Sequence, residues 1–132
     1  MKLLRFKSYF ENKHYEETYW SKKINGKEVT ITIKDVQNIL DEKNVDVENI
    51  AVDDVSDMCV HKDKDDEKTL ARSEKSNLDY PIIISKDLKG NLNMILDGHH
   101  RLLKAINNNH DNIKARILDL SKCSIEYQTM FG

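Results

Sequence analysis

One stretch of this 132-residue chain constrains its fold more than any other: PIIISKDLKGNLNMILDGHHRLLKAI, residues 81–106. By pattern it is a strand, a tight turn, a second strand, a glycine corner and a helix. Residues 82–85 form a β-branched run opened by Pro81, Lys89-Gly90-Asn91 supplies a turn, and residues 92–96 are the second strand. Asp97-Gly98 breaks that strand. Residues 99–108 then carry helix formers, with Leu102, Leu103 and Ile106 spaced to share one helical face.

The corner itself has chemical content. A glycine between a buried strand and a helix lets the backbone turn sharply and gathers the first helical N–H groups at one point. Those donors, with the positive end of the helix dipole, favour an anion. His99, His100 and Arg101 stand at that point, so geometry and charge together predict a phosphate site. A plainer reading stands beside it. Strand, glycine, helix is ordinary punctuation, Asp97 can serve simply as the helix cap, and two histidines in an exposed first turn need no ligand.

The rest of the chain bounds what such a corner can belong to. At this length one domain with its own core is expected. A hydrophobic content of 39% beside 33% charged residues fits an ordered, soluble protein. No run approaches the length of a membrane-spanning helix, and the opening MKLLRFKSYF lacks a signal-peptide pattern, so a cytoplasmic protein is expected, with no membrane partner. Cys59 and Cys123 have no local pairing pattern, and His14, His61, His99, His100 and His110 form no metal-ligand spacing, so no dedicated metal site is expected. Charge is uneven: residues 41–68 hold eleven acidic and four basic side chains, whereas residues 1–34 hold eight basic and four acidic. Overall the net charge is −2, which disfavours a grip on DNA by counterion release and leaves room for a local basic patch near the N-terminus.

Local signals place the other elements. Residues 1–10 alternate weakly as a strand. Residues 15–23 and 28–33 flank Asn25-Gly26, a strong hairpin signal, with Val29, Ile31 and Ile33 on one face and Tyr15, Tyr19 and Trp20 as packing aromatics. Thr32 and Asp35 make a capping box for a helix to about Glu42, buried through Val36, Ile39 and Leu40. Ile50-Ala51-Val52 reads as a strand, the charge run 61–68 as a solvated loop, and residues 65–75 as a helix bearing Arg72. Residues 113–118 return as a strand beside the earlier two. A last helix over 121–130 is expected to turn Ile125 and Met130 inward.

Several of these motifs together resemble a known family. NLDYPIII stands where the N-terminal nucleotide-binding domain of ParB-type partition proteins has its "GLxxPI(V/I)V" strand. ILDGHHRLLKA stands where that domain has "xxGERRxxAA", and IKARIL resembles its closing strand. The likeness covers residues 73–118. The DGHHR form is similar to ParB-like domains found as small stand-alone phage proteins and in free-serine kinases of this fold. Arg72, Lys75, Asn77, Tyr80 and Pro81 resemble the lead-in of the phage proteins. The resemblance implies an α+β (α/β) fold of the ParB/sulfiredoxin-like type. That fold is a small mixed β-sheet with packed helices, here a core over 34–132 preceded by a strand and β-hairpin over 1–33. Two departures matter. His99 occupies the position of the sulfiredoxin cysteine, so thiol attack is excluded there, and His99 and His100 replace the glutamate and first arginine of "GERR".

Three functions follow from that likeness. The first is a nucleotide-dependent switch or phosphoryl-transfer enzyme of the kinase or NTPase kind. Its ligand is a nucleotide (ATP, ADP or CTP), with Mg²⁺ as an optional companion. The resemblance implies that Gly98, His99, His100, Arg101, Arg72, Tyr80 and Pro81 line the site. Arg101 pairs with phosphate, His99 is the candidate base, and Asp97 either caps the helix or holds the metal. The second is a ParB-like nuclease or nucleic-acid-binding protein. The third is a non-catalytic, phage-type interaction protein that binds a host protein or a DNA-associated complex.

Overall fold

A computed structural model of the chain describes residues 18–58 and 75–132. Its first elements follow from local signals. Strands β1 (Tyr19–Ile24) and β2 (Lys27–Thr32) pair antiparallel, Ile24 opposite Lys27. Asn25 (φ 54°) and Gly26 (φ 80°) between them both adopt positive φ, as a two-residue type I′ turn requires. Helix α1 (Ile33–Glu42) starts on the expected capping box: Asp35 N–H donates to Thr32 Oγ1 (3.1 Å), and Thr32 N–H donates to Asp35 Oδ2 (2.9 Å). Val36 and Leu40 are fully buried along α1, with Ile39 half-buried beside them.

Strand β3 (Glu48–Ala51) leads into the one-turn helix α2 (Val52–Val55) and a 3-10 turn, Ser56–Met58. Val52, expected in the strand, instead opens the helix and is buried with Val55. The central unit then appears as read: β4 (Ile82–Lys86), a turn, β5 (Leu92–Asp97) and helix α3 (His99–Asn107). In the turn Asp87 Oδ1 accepts from the N–H groups of Lys89 and Asn91, both at 2.9 Å, and Gly90 takes φ 89°. Strand β6 (Asn112–Asp119), a 3-10 turn (Leu120–Lys122) and helix α4 (Ile125–Phe131) complete the described residues.

Four strands form one sheet in the order β3-β6-β4-β5, mixed in direction: β4 runs parallel to β6 and antiparallel to β5, while β3 and β6 are antiparallel. The closing strand therefore lies beside β4 but not beside β5. Because β4 is central and buried on both faces, its run of isoleucines has no polar alternation. Ile82 and Ile84 point to one cluster with Leu102, Leu103 and Ile113. Ile83 points to the other with Val36, Leu40, Leu96 and Phe131. The hairpin joins this second cluster through Ile31, Trp20 and Val29, and Trp20 meets Phe131 edge-on with ring centroids 4.8 Å apart.

One packing expectation is corrected. Ile125 is 58% exposed, because the 3-10 turn delays the last helix and changes its phase; Phe131 is the fully buried residue, with Met130 half-buried. On α3, Leu102, Leu103 and Ala105 are buried, and Ile106, half-buried, packs against the same cluster as expected. The strand expected over 1–10, Tyr15, the charge run 61–68 and the helix expected over 65–75, all but its last residue, lie outside the described residues. No helix among the described residues is long and apolar enough to cross a membrane.

Candidate functional site

The corner between β5 and α3 is shaped by one close approach. Gly98 adopts φ 99°, in the region that side chains disfavour. A Cβ built on it would lie 2.6 Å from Ile82 Cγ2 and 3.0 Å from Arg101 Nη2. Glycine is thus required both by the backbone turn and by the packing of β4 under the helix start. Asp97 ends β5 opposite Ile83, so the corner sits at the amino end of β4.

The expected cap is not made. Gly98 itself is the N-cap of α3, and no side chain among the described residues caps the helix there. Asp97 instead turns to Arg101, one helical turn on: Arg101 Nη2 donates to Asp97 Oδ2 at 3.2 Å and to the Pro81 carbonyl at 3.2 Å. Residues four apart at a helix start are natural partners, and an arginine in reach outcompetes the cap for the carboxylate. The Arg101 side chain is only 20% exposed, and its Nε is buried with no hydrogen-bond partner among the described residues. A buried donor left over in this way is uncommon in a folded protein.

The structure thus brings together Asp97, Gly98, Arg101 and the Pro81 carbonyl. His99 and His100, the first two residues of α3, are half-buried beside them. Tyr80 immediately precedes this group but is 63% exposed. Arg72 lies outside the described residues. Among the described residues no group of three or more His, Cys, Asp or Glu side chains is placed to hold a metal ion.

Sequence reasoning passed over two features at the far end of the sheet. Arg116 lies within IKARIL at a strand position facing the helix α1 side. Its Nε and Nη2 donate to the Val45 carbonyl (3.1 and 2.9 Å), and its Nη1 to Asp41 (2.9 Å). An arginine between Ala115 and Ile117 of the closing strand was the available signal. The second is Asp119, whose Oδ1 accepts from Ser121 Oγ (2.7 Å) and N–H (3.1 Å). Those bonds, helped by Lys86 and Lys122, hold its carboxyl below the usual carboxylate range. Compared with protein-family models, with curated proteins and with solved structures, the chain matches none.

Proposed function

We propose that the chain is a ParB/sulfiredoxin-like phosphate-binding module acting in the cytoplasm. Its ligand is a nucleotide (ATP, ADP or CTP), held at the corner after β5 with or without Mg²⁺. Support comes from the motif likeness over residues 73–118 and from one observation above the others. Among the described residues, Arg101 is carried at a helix start that no side chain caps, and its guanidinium retains a buried donor, Nε, without a partner. An uncapped helix start and a guanidinium are both recurrent phosphate partners.

The residues divide the work as follows. Arg101 exchanges Asp97 for phosphate oxygens, since one carboxylate on a single Nη2 leaves the bidentate geometry unused. His100 adds a donor from the first turn. Asp97, released from Arg101, becomes a carboxylate available to Mg²⁺. His99 is the candidate proton acceptor if phosphoryl transfer takes place. Isothermal titration with ATP, ADP and CTP, each with and without Mg²⁺, tests this. Binding should be lost in Arg101→Ala and partly kept in Arg101→Lys. Absence of binding at millimolar nucleotide by the intact chain would sink the reading.

A second reading is favoured by a specific contact. Arg101 already bonds to Pro81 and Asp97 and so latches β4 to α3 without any ligand. On that reading the corner is structural and the chain is a phage-type interaction protein for a host factor. Arg101→Ala would then lower thermal stability while no nucleotide shifts the melting temperature of the parent chain, which a ligand of the native state must do.

A further inference from the structure

The carboxyl end of the parallel pair offers a different site. Lys86, the last residue of β4, lies opposite Asp119, the last of β6. In open sheets with parallel strands, ligands lodge outside the carboxyl ends of those strands. The Gly98 corner is at the other end, level with Ile83, three residues and so ~10 Å along β4.

A cleft forms here because β3 stops early. Its pairing with β6 ends at Glu48 opposite Ala115, whereas β6 continues to Asp119 with β4, among the described residues, on one side only. The chain from α1 into β3 turns aside at Asn44 (φ 54°), and Arg116 fixes it there through the Val45 carbonyl. The space between that segment and β6 is a cleft of about 410 Å³, within the range of small-molecule pockets. Leu40, Ile117 and Leu118 give it an apolar floor.

Its lining carries both charges. Lys86 ends β4, Lys122 lies in the 3-10 turn after β6 and Lys43 follows the end of α1, while Asp46 and Glu48 lie at the entry to β3. Asp119 is already engaged by Ser121 and lies 3.9 Å from Lys86. Neither Lys43 nor Lys122 belongs to an ion pair among the described residues. The lysines therefore attract an anionic group, and the carboxylates of Asp46 and Glu48 accept hydrogen bonds.

We infer that this cleft is a second binding site, which takes a small polyhydroxylated anion. Its carboxylate or phosphate meets Lys43, Lys86 and Lys122, and its hydroxyls face Asp46 and Glu48. Amide spectra of the ¹⁵N-labelled full chain, titrated with ribose 5-phosphate, gluconate and ribose, test it. Ribose 5-phosphate, gluconate or both should shift Lys86, Asp119 and Lys122 saturably at low millimolar concentration, with ribose inert. A response to ribose 5-phosphate alone assigns a phosphate ligand, and one that includes gluconate shows that a carboxylate suffices. Lys43→Ala and Lys122→Ala, both at exposed positions, should each weaken binding about tenfold, the effect of losing one hydrogen bond to a charged group. Lys23→Ala, on the distant hairpin, should leave it unchanged. The site is refuted if no saturable shift occurs, if shifts are confined to residues 98–101, if ribose binds equally, or if the three lysine variants behave alike.

Discussion

Replacing Gly98 by alanine separates the two demands placed on the corner. The first is conformational: a side chain held at positive φ costs about 1–2 kcal/mol. The second is steric. The new methyl would sit 2.6 Å from Ile82 Cγ2, and Ile82 is fully buried and cannot retreat. Forcing an extra methyl into such a contact costs roughly 1–3 kcal/mol. Arg101 Nη2, also too close at 3.0 Å, can move, but only by loosening its bonds to Pro81 and Asp97. Together the loss should be about 2–5 kcal/mol. Gly90→Ala is the control, because Gly90 has φ 89° but nothing within 4 Å of the added atom. It should lose only the conformational part, about 1–2 kcal/mol. Urea denaturation of both variants reads the difference. With an m-value of about 1–3 kcal/mol/M, an extra 2 kcal/mol moves the midpoint by roughly 1 M. Ile82→Ala removes the clashing methyl, so in a double-mutant cycle it should cancel part of the Gly98→Ala cost. If Gly98→Ala and Gly90→Ala were equally destabilising, and Ile82→Ala uncoupled from both, the packing argument for the corner would be refuted.

Three other outcomes are expected. Phe131→Ala should destabilise by about 3–5 kcal/mol and shift Trp20 fluorescence, since Phe131 is fully buried against that ring. In thermal or urea unfolding Leu102→Ala should cost about 2–5 kcal/mol and Ile106→Ala distinctly less, because Leu102 is fully enclosed and Ile106 half-buried. Burial, reinforced by Asp35, pushes the Tyr127 hydroxyl up to about 12. Its folded pKa is raised, so its contribution to stability is complete below pH 10 and falls as pH rises through about 12. Absorbance titration should show a late tyrosinate step that Tyr127→Phe removes.

Elements specified by neighbours in sequence were legible in it. The Asn25-Gly26 turn, the Thr32–Asp35 capping box and the Asp87–Asn91 turn each involve a few residues whose backbone needs no distant partner. The same holds for the strand-turn-strand-glycine-helix unit, where the apolar spacing shows which face of the helix is buried. The 97–101 spacing that pairs Asp97 with Arg101 was equally local, but a carboxylate before a helix can cap or pair, and the pattern alone does not choose. Contacts across the chain made that choice. Arg101 is drawn to the Pro81 carbonyl, twenty residues away, and Asp97 follows it. Tertiary packing likewise set the phase of α4, because Phe131 had to reach Trp20 across the hairpin, and Ile125 was left in solvent. The far cleft belongs wholly to the assembled sheet. It exists because β3 ends before β6 does and because Arg116 holds the approaching chain aside, and neither pairing length nor that contact is written in any local run of residues.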